Sequence, residues 1–236
     1  MAVSCYKLQV RMAMNETNLN STATLHITSG KCSAYALRQL LPKADIVAFN
    51  EAMCEGACCG VVGSVDFKQL RSLAYNVNMD EYLAKSPWEH LQQVHTYNEL
   101  ALYFDYDMFC VVNAITLLAF FEQQRYASKI TFNLIAADGC VNVLKSWPVT
   151  LGCFNECYQR VLVEHKKFVF SNQYFDKGVE LYLDYVQPEN KITSFIRAHG
   201  EVEHDELVVL LLKQFADYGL TDFAAERFIK AVKSKA

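Results

Sequence analysis

The 236-residue chain is poor in the residues that break regular structure, with 9 glycines and 4 prolines. That excludes collagen-like repeats and Pro/Gly-rich low-complexity chains. Positive charge is not in excess either: 22 Lys or Arg face 26 Asp or Glu, and the net charge is −4. No field for non-specific phosphate-backbone binding results, so nucleic acid is not expected as a partner. No run reaches the roughly 18 uninterrupted apolar residues that a membrane span needs. The opening residues lack the apolar stretch of a secretory signal. The expectation is a cytoplasmic protein with no membrane partner. Gly-x-Gly-x-x-Gly, the Walker loop and Gly-x-Ser-x-Gly are absent too, which removes the main signals for dinucleotide enzymes, NTPases and serine hydrolases.

What is present is apolar: 52% of residues are hydrophobic and 13% aromatic. That suffices for one large domain, or a domain with an extension, held by its own core. The nine cysteines are an odd number and sit mostly in apolar stretches, which predicts reduced, buried thiols and no disulfide framework. Cys54, Cys58 and Cys59, like the pair Cys153 and Cys157, lack a second ligand pair at zinc spacing, so structural thiols are the preferred reading and no metal ligands are assigned. The six histidines are scattered. His26 falls mid-strand and reads as a packed, hydrogen-bonded residue.

Residues 1–22 show little periodicity and read as a flexible arm. From Thr24 onward, residues 24–28, 45–49, 100–104 and 130–136 are apolar or alternating runs typical of strands. Helical patterns lie between them at 33–41, 66–84, 87–97 and from Met108 onward. Strand and helix alternating in this way imply right-handed crossovers and a Rossmann-like α/β fold. The expected architecture is a parallel sheet of about four strands with helices on both faces. Beyond 148 only helices are expected, at 153–168, 173–185, 189–199, 204–217 and 221–234. Residues 23–147 therefore form an α/β domain and residues 148–236 an all-α C-terminal domain. Gly219 stops one of the late helices and Thr221 caps the next.

Open parallel sheets bind ligands outside the carboxyl ends of their strands. Four loops meet there: one carries Gly30, Lys31, Cys32 and Ser33, and the others carry Glu51, the pair Asp105 and Asp107, and Asp138. The amides at Gly30, Lys31 and Ser33 open a helix and offer an anion cradle. Acids beside such a cradle hold Mg²⁺ against a phosphate or bind sugar hydroxyls. Plain helix capping by Asp105 and Asp107, and turn chemistry at Asp138, explain the same residues without a ligand.

These segments resemble the mostly bacterial family named domain of unknown function 1835. Residues 25–30, Leu-His-Ile-Thr-Ser-Gly, look like its opening strand and glycine turn. Residues 51–57, Glu-Ala-Met-Cys-Glu-Gly-Ala, look like its acidic-x-x-Cys-polar-Gly-Pro segment, with Ala57 in place of Pro. Residues 102–109, Leu-Tyr-Phe-Asp-Tyr-Asp-Met-Phe, are similar to its Leu-Trp-Phe-Glu-x-Asp-Leu-Tyr signature, with Asp105 in place of Glu. The first loop departs most, carrying Lys31-Cys32 where the family often has Ser-Asp. The resemblance implies a fold and a site position and carries no activity.

Two functions are expected from these features. In the first, a small phosphorylated or nucleotide-like ligand binds at Gly30, Lys31, Ser33, Glu51, Asp105 and Asp107, with the aspartates holding metal or polarising the ligand. In the second, the chain is a non-catalytic module whose C-terminal helices dock a protein partner. An exposed Leu/Phe stripe over residues 206–228 would favour the second.

Overall fold

A computed structural model describes residues 23–137 and 141–234. Five strands form one sheet: β1 (Thr24–Thr28), β2 (Asp45–Ala48), β3 (Glu99–Phe104), β4 (Lys129–Ile135) and β5 (Val143–Pro148). Their order is β2-β1-β3-β4-β5. The first four run parallel, with Ile27 beside Val47 and Leu102, and Leu102 beside Phe132. This is the expected α/β class. The arm and Asp138 lie outside the described residues. The fifth strand is an addition to the sequence-based expectation, and it pairs antiparallel with β4. Residues 143–148 escape a period-2 reading because Lys145 and Ser146 interrupt it. Pro148, which has no N–H to give a ladder, suits an edge strand.

Alternation within the strands sends two sets of side chains to opposite faces. On one face Ala101, Tyr103 and Ile46 meet Ala34 and Leu37 of α1 (Lys31–Leu40). On the other, Leu25, Ile27, Leu100, Leu102, Phe104 and Phe132 join the main core. At the centre of that core is α5 (Met108–Gln123), which buries 13 of its 16 residues. A helix apolar on all sides belongs in an interior, and its buried Thr116 hydroxyl turns back to the Val112 carbonyl at 2.9 Å.

The region 66–97 is broken more often than its pattern suggests. It forms α2 (Val65–Ala74), α3 (Met79–Lys85), the single turn α4 (Trp88–Leu91) and a 3₁₀ turn. The break after α2 comes at Asn76, in the left-handed region at φ 53°, and Asn78 caps α3 by accepting from Glu81 N.

The C-terminal helices are α6 (Phe154–Tyr158), continued by a π-helical turn (Gln159–Val163), then α7 (Gln173–Tyr185), α8 (Lys191–Ala198), α9 (His204–Gln214) and α10 (Asp222–Lys233). Of these, α6 and α7 pack on α5. Close approach of α7 to α5 needs Gly178, where a Cβ would lie 2.3 Å from Val111 Cγ1. The apolar stripe over 206–228 is mostly turned inward: Leu207, Leu211, Phe215, Ala225 and Tyr218 are buried, and only Val209 and Phe223 are large and exposed.

Candidate functional site

The sheet changes direction between β1 and β3, since β2 lies on one side of β1 and β3 on the other. Loops at their carboxyl ends diverge there and leave a crevice. Gly30, with extended backbone, is the N-cap residue of α1, and no acidic side chain occupies the first turn of that helix. Lys31 and Cys32 are exposed, whereas Ser33 is buried. A Cβ on Gly30 would sit 4.0 Å from Asn50 Oδ1, so the first two loops touch.

Glu51 follows Asn50 but turns inward, with 1% of its surface exposed. Its Oε1 accepts from Tyr82 Oη at 2.6 Å and Trp88 Nε1 at 3.0 Å. Its Oε2 accepts from Tyr75 Oη and from Arg71 Nε, each at 3.3 Å. Arg71 is itself fully buried and also donates to the carbonyls of Ala52, at 2.7 Å, and Glu55. Asn113 of α5 completes the clamp, accepting from Met53 N at 3.0 Å and donating to the Glu51 carbonyl. Burial, then the Glu51 carboxylate, push the Tyr75 phenol up to about 12, so it stays a donor at neutral pH. Such a carboxylate orders a loop, and its lone pairs are occupied.

Asp105 and Asp107 lie elsewhere on the same edge. Asp107 caps α5, its Oδ1 accepting from Cys110 N at 2.6 Å, and Asp105 Oδ1 accepts from Asp107 N at 3.1 Å. Tyr174 donates to the Asp105 carbonyl at 2.8 Å. The capping role read from the sequence is therefore real for Asp107. Donor atoms of Asp105, Asp107 and Cys110 fall within 4.8 Å of one another, the one such group among the described residues. Burial and both aspartates hold the Cys110 thiol protonated. Mg²⁺ takes one or two carboxylates and completes its octahedron with water, so Asp105 and Asp107 are of the right chemistry for it, whereas a protonated Cys110 thiol is not a ligand for that ion.

Burial, then the neighbouring Asp105 charge, raise Asp107 to about 7. The folded protein therefore keeps a proton that an unfolded aspartic acid releases near pH 4. The contribution of Asp107 to stability is greatest below about pH 4, falls as pH rises to about 7, and is level beyond. Urea unfolding across this range should show that slope. Asp107→Asn, which keeps the capping oxygen, should flatten it and raise stability at pH 8; a slope unchanged in the variant would exclude Asp107 as its source.

Between these two groups lies a cleft of about 290 Å³. Asn50 and Glu51 form one wall, Met108 and Phe109 of α5 the floor, and Gly219, Thr221 and Phe223 the opposite side. Gly30, Lys31, Ser33, Asp105 and Asp107 do not line it. The charged groups that do line it are matched, Glu51 with Arg71 and Glu55 with Arg227. The N-terminal turns of α5 and α10 both open onto it, Thr221 capping α10 by accepting from Ala224 N. Aromatic surface comes from Tyr75, Phe109 and Phe223, the last 78% exposed at the mouth.

Of the residues lining the cleft, sequence reasoning reached Glu51 as a candidate site residue and Gly219 and Thr221 only as helix boundaries, and it missed Arg71 and Arg227. The signal for Arg71 was a cation next to Leu70 and two residues before Leu73 in a helix. Comparison with protein-family models, with curated proteins and with solved structures returned no match.

Proposed function

We propose that the chain binds a small phosphorylated, ring-bearing ligand of the nucleotide type in the cleft at the carboxyl edge of the sheet. The convergence of two helix N-termini on one aromatic-walled cleft carries this reading. Each terminus presents a partial positive charge to an anion, although the Cys110, Phe223 and Ala224 amides are already taken by Asp107, Asp222 and Thr221; the paired side-chain charges lining the cleft cancel. Tyr75, Phe109 and Phe223 suit a planar ring. Through Asn50 the cleft adjoins the Gly30 turn, so Gly30, Lys31 and Ser33 would meet an extended phosphate, and Asp107 would act from behind as the cap that orients α5.

The same proposal takes the protein as a cytoplasmic member of the bacterial family it resembles. Among the described residues no helix is long and apolar enough to cross a membrane.

Calorimetric titration with adenosine monophosphate, adenosine and inorganic phosphate tests the reading. The monophosphate should bind at least about tenfold more tightly than either fragment, and Phe223→Ala or Asn50→Ala should weaken it by a similar factor. Both side chains are exposed, so folding is not at stake. Equal affinities for monophosphate and nucleoside, affinity unchanged in both variants, or no heat from any of the three would refute it.

A further inference from the structure

A second cavity, about 370 Å³, lies between the C-terminal end of α7, α8, α10 and the 54–56 loop. We propose that it is a separate binding site for a small aromatic carboxylate. Its volume falls within the range of ligand pockets. Tyr182, Tyr185, Phe228 and His165 line it, and they already meet edge to face: Tyr185 with Phe228 at 5.2 Å and His165 with Tyr182 at 6.0 Å between centroids. A further ring extends that packing.

Charge decides the rest of the ligand. Arg197 and Arg227 line the cavity against a single acidic residue, Glu55. Each arginine grips a glutamate through both terminal nitrogens, Arg197 holding Glu189 and Arg227 holding Glu55. The Arg197 pair is well exposed on both sides, 45% and 61%. The pair is solvent-exposed, so a ligand carboxylate would take the same forked place on Arg197 by displacing Glu189 into water.

The backbone is irregular where the cavity needs it. The π-helical turn at Gln159–Val163 underwinds and widens the end of α6, and His165 then takes the left-handed conformation at φ 52°. π-helical turns are rare, positive φ is uncommon for a residue other than glycine, and both are found more often at functional sites than elsewhere. Together they bring the His165 ring to Tyr182. The cavity shares a wall with the sheet-edge cleft, formed by Cys54, Glu55, Tyr185 and Arg227, whereas Arg197, His165, Tyr182 and Phe228 line this cavity alone.

Amide-resolved NMR titration of the full chain with phenylacetate and indoleacetate, and with phenylacetamide as the neutral control, tests the proposal. Saturable shifts are expected at Tyr182, Tyr185 and Phe228, with the amide bound at least about tenfold more weakly than the acid. Arg197→Gln should weaken phenylacetate by about tenfold, and Ala231→Trp, at an exposed lining position, should abolish its binding. Equal binding of acid and amide, shifts centred outside the cavity, affinity unchanged in Arg197→Gln, or no saturable shift from either acid would overturn it.

Discussion

Glu51→Ala is expected to lower the unfolding free energy by about 3–5 kcal/mol, because it strands a buried arginine. Arg71 is 0% exposed and Glu51 1%. With the carboxylate gone, the guanidinium keeps two carbonyls but loses its only anion, and Tyr82 and Trp88 lose their shared acceptor. All three are buried. Each group left unpaired costs desolvation in full, whereas the intact network returned only part of it. A paired substitution, Glu51→Leu with Arg71→Met, removes both charges and should recover much of the loss. Urea unfolding followed by circular dichroism gives the values, and Trp88 fluorescence should shift in the single variant. A loss of about 1 kcal/mol or less in Glu51→Ala would mean that the carboxylate is not a fold anchor and is available to a ligand.

That outcome bears on how a sequence reveals a site. The four parallel strands were legible because strands covered on both faces are short and apolar, and residues 100–104 and 130–136 are both. The position of the loops followed from topology alone, and Glu51, Asp105 and Asp107 do lie at the carboxyl edge. What each acid does there was not legible. Glu51 meets Tyr82 and Trp88, 31 and 37 residues later, on turns whose boundaries the 3.6-residue pattern smears together. An acid after a buried strand reads identically whether its partner is a ligand or a buried arginine.

The far wall of the cleft was hidden for a related reason. Gly219 announces a helix end through its left-handed preference, but nothing local says that this turn folds back over the start of α5, more than 100 residues earlier. The same limit applies to β5, whose six residues carry Lys145, Ser146 and Pro148 and are recognisable as a strand only once β4 offers an edge.

Gly219→Ala should destabilise the protein by about 2–4 kcal/mol, from two sources that can be separated. The residue sits at φ 64°, which costs an L side chain roughly 1 kcal/mol or more. A Cβ there would also lie 2.6 Å from Asp107 Oδ2 and 2.8 Å from Phe109 Cβ. Asp107 cannot yield freely, since it is tied to Cys110 N as the cap of α5. Crowding of this kind typically adds about 1–3 kcal/mol. Gly152→Ala is the control: its φ of 142° is also unfavourable for alanine, but a Cβ meets nothing within 4 Å. The difference between the two variants therefore measures how tightly the 219 turn is pressed onto the head of α5. If Gly219→Ala costs no more than Gly152→Ala, the contact is slack and the cleft wall is not held by it. If it costs more, the wall is set by the same aspartate that caps the floor helix. Adenosine monophosphate affinity should then fall in the variant, because lifting the turn separates the two helix N-termini that a phosphate would bridge.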